Sequence, residues 1–200
     1  MANICSWFSI SAIFIFALFT SSPCSAARKL LGSETDTDFI KTWCDSTTYH
    51  DLCLATFSSY AAEIHGSPQK LATKSLFVTL NTTRSASKTI NELCKEQGLK
   101  PREVAALQDC VEEIGDSIDE LKRSIAEMDE STGKSFAFRM NDIETWVSAA
   151  LTDEDTCMDG FSETAIDGAV EDKVRTVIEK VAHLTSISLA FVNHYAGAKK

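Results

Sequence analysis

The sequence predicts an all-α protein, an antiparallel up-and-down four-helix bundle with an N-terminal helical hairpin. Four long stretches repeat apolar residues every three or four positions, which is the period of a helix with one buried face. The breaks between these stretches are short, and short connections join helices that run antiparallel. No stretch shows the polar and apolar alternation of a half-buried strand.

Residues 1–26 have the character of a secretory signal peptide. The segment 7–20 is apolar and uncharged but shorter than the roughly 20 residues that span a bilayer, and small residues follow it at 24–27. We expect cleavage after Ala26 and a loose mature N-terminus over 27–37. No later segment is apolar enough to cross a membrane, so we expect a secreted protein.

Residues 38–66 are predicted to form the hairpin. Two short helical patterns flank a polar break at 45–48, and Cys44 and Cys53 stand near the facing ends of the two patterns. A bond between these cysteines would close a loop of about 10 residues and contribute about 2 to 3 kcal/mol. So small a hairpin is not stable alone, and we expect it to dock on the bundle.

Residues 67–200 are predicted to form the bundle itself. Ser67 and Pro68 have the chemistry of an N-cap and a first helical residue. The second helix has the clearest period, an unbroken apolar seam of residues spaced alternately three and four apart: Val104, Leu107, Val111, Ile114, Ile118, Leu121, Ile125 and Met128. The four helices are expected over about 68–97, 101–129, 135–161 and 169–195, with breaks at 98–100, at 131–134 and near Gly168.

The cysteines indicate an oxidising compartment but leave the pairing open. Without residues 1–26 the chain keeps Cys44, Cys53, Cys94, Cys110 and Cys157. Five cysteines in a secreted protein imply two disulfides and one free thiol. Spacing alone does not choose among the possible pairings.

The net charge of -10 argues against nucleic acid, anionic membranes and polyanions as direct ligands, and it suits a cationic partner. Three carboxylates form a stripe at i, i+4 and i+7 on the second helix, opposite its apolar seam: Glu112, Asp116 and Asp119. A stripe of this kind is either the solvated face of a bundle helix or a binding face.

The sequence contains no recognisable catalytic or metal-binding pattern, so we expect no enzymatic activity, metal or cofactor. The four histidines are scattered, and neither HExxH, GxSxG nor a glycine-rich phosphate loop occurs. The acidic run 153–155 superficially suggests a calcium loop, but Cys157 would occupy a ligand position. We interpret the run as a solvated acidic turn of a helix.

Two single residues each allow two interpretations. Cys94, beside Lys95, is either a reactive thiol or a buried unpaired cysteine, and we favour the second. Asn81 begins the N-glycosylation sequence Asn-Thr-Thr, which becomes relevant in a secreted chain. Its place within a predicted helix weighs against its use.

Three motifs in order carry a family resemblance: TWCDSTTYHDLC over 42–53, LQDCVEEIGDSIDELKRSI over 107–125 and TWVSAALTDEDTCMDGF over 145–161. Together they resemble the plant invertase and pectin methylesterase inhibitor family. The resemblance covers about 38–195. It implies a secreted bundle that is not an enzyme and that caps the substrate cleft of a cell-wall carbohydrate enzyme in a one-to-one complex.

The resemblance also chooses the disulfides. It pairs Cys44 with Cys53 and Cys110 with Cys157, and it leaves Cys94 free. The second bond would close a loop of about 47 residues, worth about 4 kcal/mol. The partner-binding residues implied by the motifs are Glu112, Asp116, Asp119, Thr156 and Asp159, with Glu144 and Trp146 in the neighbouring Thr-Trp motif.

The favoured partner is pectin methylesterase, with acid invertase as the alternative. Invertase inhibitors of this family often carry a Pro-Lys-Phe stretch, which this chain lacks. The chain ends after the bundle, so we expect a free-standing inhibitor in the apoplast and cell wall, as a monomer or weak dimer. The alternatives from other classes are a helical binding protein or ligand carrier and, least favoured, a thiol-dependent enzyme built on Cys94.

Overall fold

The computed structural model describes residues 35–130, 135–163 and 168–198, and these ranges contain helices and no strand. The predicted fold class is confirmed. The signal peptide over 1–26, most of the expected loose terminus and the break at 131–134 lie outside the described residues.

The N-terminal hairpin consists of three short helices. Helix α1 covers 35–44, three residues earlier than the expected start of the hairpin, and α2 covers His50–Phe57. A 3₁₀ turn over Ser58–Tyr60 leads into α3, Ala61–Ile64. The polar residues between α1 and α2 form turns, as their composition predicts.

Four long helices follow, and each corresponds to one of the predicted stretches. They are α4 (Pro68–Leu93), α5 (Pro101–Glu130), α6 (Phe136–Glu163) and α7 (Ala169–Gly197). The Ser67 hydroxyl accepts a hydrogen bond from the Lys70 amide at 3.4 Å, as expected of an N-cap.

Helix α4 ends before the expected Gln97. The amides of Lys95 and Glu96 bond to carbonyls three residues back, which tightens the chain into a turn after Leu93. Gly98 then adopts φ +85°, a conformation open mainly to glycine, and the chain reverses into α5.

The long helices form a ring in which each packs against its two neighbours. Helix α4 packs on α5 and α7, and α6 packs on the same two helices, so α4 and α6 lie diagonally opposite. The hairpin docks on α7, where Trp43 and Phe57 contact the buried Phe191. Tyr49 stacks on His183 with the two ring centroids 3.7 Å apart. The bundle therefore supplies the apolar surface that the hairpin lacks.

The buried face of α5 is rotated from the predicted seam. Leu107, Ile114 and Leu121 are fully buried as expected, but Val104 is 36% exposed, so its assignment to the core is wrong. Cys110 and the small residue Ser117 are fully buried instead. Small side chains let α6 approach on that side, and this approach turns the face of α5 toward it.

Within the described part of the chain, no helix combines the length and the apolar character that a membrane span requires.

Candidate functional site

The three carboxylates of the predicted stripe share the solvent-facing side of α5. Glu112, Asp116 and Asp119 all reach solvent. Lys122 donates a hydrogen bond from Nζ to Asp119 Oδ1 at 2.8 Å. This bond and the charge of Lys122 hold the pKa of Asp119 below its ordinary value.

The predicted residues of α6 divide into two places. Thr156 and Asp159 lie one turn apart on the surface, and the Thr156 hydroxyl donates to the Thr152 carbonyl at 2.8 Å. Glu144 and Trp146 lie nearer the start of the helix. At 1.5 Å per residue, Glu144 lies about 18 Å along the helix from Thr156, so the structure does not bring it into the same patch.

A disulfide fixes how α5 and α6 lie beside each other. Cys110 and Cys157 are joined with an S–S distance of 1.88 Å and Cα atoms 4.3 Å apart. Because the helices run antiparallel, the part of α5 that follows Cys110 lies beside the part of α6 that precedes Cys157. The hairpin disulfide joins Cys44 and Cys53 with an S–S distance of 1.96 Å.

This register brings together carboxylates that were not predicted to belong to the site. Asp153 on α6 feels the negative charges of Glu113, Asp116 and Glu120 on α5. Burial, reinforced by these charges, raises the pKa of Asp153 to about 6. Burial and neighbouring carboxylates also raise the pKa of Glu113.

We call this surface the acidic face. It comprises five residues of α5 and one of α6: Glu112, Glu113, Asp116, Asp119, Glu120 and Asp153. Thr156 and Asp159 follow Asp153 along α6. The arrangement has no nucleophile paired with a base, but its concentrated negative charge suits a cationic or hydrogen-bond-donating protein surface.

Glu154 lies inside the bundle beneath the acidic face, and its place in a solvated turn was wrongly predicted. It is fully buried, whereas the next residue, Asp155, is exposed. The hydroxyls of Ser117 on α5 and Thr185 on α7 lie 2.9 and 2.8 Å from Glu154 Oε1. Burial raises the pKa of Glu154 to about 8.

The remaining candidate residues lie elsewhere. Within 35–130, 135–163 and 168–198, no group of three or more histidine, cysteine or acidic side chains could hold a metal ion. Cys94 is a free, half-buried thiol that packs against the same core cluster as Cys110, and burial raises its pKa. His183 and His194 pack against aromatic residues of the hairpin.

Similarity to known proteins places the chain in a family. The family model described as "Plant invertase/pectin methylesterase inhibitor" matches residues 38–191. The chain is 47% identical over 165 residues to the "21 kDa protein" of Daucus carota, covering 81% of this chain and 86% of the relative. It is also 47% identical over 171 residues to "Pectinesterase inhibitor 10" of Arabidopsis thaliana, covering 84% of this chain and 54% of the relative.

A solved structure has the same fold. The crystal structure of mutant form A of a pectin methylesterase inhibitor from Arabidopsis superposes with a TM-score of 0.64 at 23% identity, covering 77% of this chain and 95% of that one. The family model spans the hairpin and most of the four long helices, and two relatives match over most of the chain. The chain belongs to the plant invertase/pectin methylesterase inhibitor family.

Proposed function

We propose that this protein inhibits a pectin methylesterase by covering its pectin-binding cleft in a one-to-one complex. The observation that carries the proposal is the acidic face on α5 and α6. Pectin is an acidic polysaccharide, so a cleft that binds it favours ligands that carry carboxylates. Carboxylates that reach solvent, such as Glu112 and Asp116, would occupy positions that the carboxylates of pectin otherwise take.

The choice of target rests on the relatives. The family name includes inhibitors of invertase, but the Arabidopsis relative that matches at 47% identity is named a pectinesterase inhibitor. This favours a pectin methylesterase over acid invertase as the partner. The protein acts by binding and not by catalysis.

The contact surface we propose has a centre and an edge. The centre is the acidic face together with Thr156 and Asp159, which lie on the same part of α6. Glu144 forms the far edge, because a partner enzyme is large enough to reach it along α6. The hairpin, residues 38–66, packs on α7 and takes no part in the contact that we propose.

We place the protein in the apoplast and cell wall, where pectin and its methylesterases occur. The bonds Cys44–Cys53 and Cys110–Cys157 form and persist in an oxidising compartment. The apolar segment over 7–20 would direct the chain there, with removal of residues 1–26.

The test replaces Glu112, Asp116 and Asp119 together by alanine. Exposed charge pairs contribute about 0.5 to 1 kcal/mol each, so the three substitutions should weaken inhibition of pectin methylesterase by roughly 10- to 100-fold. The readout is residual methylesterase activity over a titration of inhibitor at mildly acidic pH, with acid invertase assayed in parallel.

A matched control removes the same charge elsewhere. Glu92 on α4 and Asp172 and Glu179 on α7 lie on the surface outside the acidic face. Their triple alanine variant should inhibit as the wild type does. If the acidic-face variant keeps its circular dichroism spectrum and melting temperature and still inhibits fully, the acidic face is not the contact surface. Inhibition of invertase alone would reassign the target.

A further inference from the structure

Asn81 lies on an exposed face of α4, a helix that carries no residue of the proposed contact surface. It is exposed in the middle of the helix and begins the sequence Asn81-Thr82-Thr83, an acceptor for N-linked glycan. Helix α4 is diagonally opposite α6 in the ring of helices. A glycan on Asn81 would therefore project from a different side of the bundle than Asp153 and Thr156.

An exposed aromatic residue lies one turn before Asn81 on the same face of the helix. Phe77 is 43% exposed, one of the few large apolar side chains that the described residues leave in solvent. Residues four apart lie on one face of a helix. The ring of Phe77 therefore offers an apolar surface to the first sugar of a glycan on Asn81, and that sugar would cover it.

The folded protein cannot itself present this sequence for modification. Thr83 is fully buried, and its hydroxyl donates to the Thr79 carbonyl at 2.9 Å within the helix. Glycan transfer needs the threonine accessible beside the asparagine. The transfer must consequently precede the packing of α4.

The order in which the helices are synthesised leaves time for glycan transfer to Asn81 before α4 packs. Helix α4 packs on α5 and α7, and α7 begins at Ala169, long after Asn81 has been made. At roughly 5 to 20 residues per second, the intervening chain takes about 4 to 18 s to synthesise. An isolated helix rich in serine and threonine is not stable, so the sequence around Asn81 stays open during that time.

We propose that Asn81 is an N-glycosylation site, modified during synthesis before α4 packs, and that its glycan covers Phe77. The proposal rests on the secretion proposed above, and it is independent of the target enzyme. The donor is an oligosaccharide on a polyprenyl diphosphate. A bond forms between Asn81 Nδ2 and the anomeric carbon, the bond from that carbon to the diphosphate breaks, the diphosphate leaves with the electron pair, and the amide nitrogen loses a proton.

The experiment expresses the full chain in plant leaf cells and recovers the secreted protein. Trypsin releases the peptide SLFVTLNTTR, residues 75–84, which contains the site. Mass spectrometry before and after treatment with a peptide N-glycosidase should show a glycopeptide in which the enzyme removes the glycan and leaves an aspartate in place of Asn81. Asn81→Gln and Thr83→Val should abolish the glycopeptide, while Thr82→Ala and Thr83→Ser, which keep the acceptor sequence, should retain it.

One further comparison separates this proposal from the proposed secretion. A second version of the chain carries a well-characterised secretory signal in place of residues 1–26. Glycan on this version alone would refute secretion by the chain's own N-terminus and still support the site. Secreted, disulfide-bonded protein in which Asn81 is unmodified would overturn the site in either version.

The role of Phe77 has its own readout. Removing the glycan from the wild type should lower its melting temperature and raise its binding of a hydrophobic dye, and in the Phe77→Ala variant both changes should disappear. Equal changes in the two proteins would refute the contact with Phe77. Inhibition of methylesterase by Asn81→Gln should equal that of the wild type, because α4 carries no residue of the acidic face.

Discussion

Replacing Glu154 by glutamine should remove most of the pH dependence of the stability of the bundle between pH 5 and 7.5. The hydroxyl of Thr185 has one proton, yet its Oγ1 lies 2.8 Å from Glu154 Oε1 and 3.1 Å from the Val181 carbonyl oxygen. Thr185 shares this proton between the two acceptors, so Glu154 Oε1 accepts from it and from Ser117. The other carboxyl oxygen, Oε2, is buried and has no hydrogen-bond partner among the described residues, so little compensates a charge on the group. Geometry and burial thus agree that the native carboxyl group is neutral.

The magnitude follows from the difference in pKa between the folded and unfolded chains. The pKa of Glu154 is about 8 when folded, against an ordinary value of 4.5. Between these values the folded protein holds a proton that the unfolded chain has released, so stability is greatest below the lower pKa and falls as pH rises toward the higher one. From pH 5 to 7.5 this loss amounts to about 3 kcal/mol.

Urea denaturation with the disulfides intact, at pH 5 and at pH 7.5, measures the effect. Glutamine keeps the shape of glutamate, and its amide oxygen accepts from the hydroxyls of Ser117 and Thr185 without titrating. The Glu154→Gln variant should be similar in stability to the wild type at pH 5 and more stable by about 2 to 3 kcal/mol at pH 7.5. Asp155→Asn, an exposed neighbour, serves as the control and should follow the wild type.

Asp153 also makes the protein less stable as pH rises, since its pKa is raised to about 6, but its side chain is present in both proteins. The difference between wild type and Glu154→Gln therefore isolates Glu154. A variant whose free energy of unfolding falls with pH as steeply as that of the wild type would refute the assignment of a neutral buried carboxyl group.

Three further predictions concern the rest of the bundle. Replacing Cys110 and Cys157 by serine should lower the free energy of unfolding by about 4 kcal/mol in chemical denaturation, because the disulfide closes a loop between residues 47 positions apart. Cys94 should react with iodoacetamide more slowly than a free thiol at neutral pH, because burial raises its pKa, and methylesterase inhibition should survive its alkylation. Ser188→Ala should cost about 1 kcal/mol, as it removes the buried hydrogen bond to Thr79 that joins α7 to α4 at 2.9 Å.

The long helices were predictable because the signals that define them are local. An apolar residue every three or four positions, the N-cap at Ser67 and the turn at Gly98 are all properties of neighbouring residues. The orientation of a helix within the bundle is not local. Val104 has the right spacing for the core but is exposed, because α5 is turned toward α6 by the small residues around Cys110.

The candidate site was predictable along one helix but not between two. The spacing of Glu112, Asp116 and Asp119 alone indicates a shared outward face, and the structure shows that all three reach solvent. The association of Asp153 with Glu113 depends on the register between α5 and α6, which spacing within either helix does not contain. The disulfide between Cys110 and Cys157 fixes that register. The number and spacing of the cysteines do not determine this pairing, and only the family resemblance predicted it.

At mildly acidic pH, Asp119 on α5 is charged and Glu154 on α6 is neutral, because Asp119 is exposed and Glu154 is buried. Lys122 lowers the pKa of the exposed Asp119, so this carboxylate remains charged at pH 5 and available to a partner. Glu154, fully buried beneath the same surface, is neutral there, so it brings no uncompensated charge into the interior. Lowering the pH toward 5 therefore stabilises the bundle without discharging Asp119. An inhibitor built in this way is most stable under the acidic conditions in which we propose that it works.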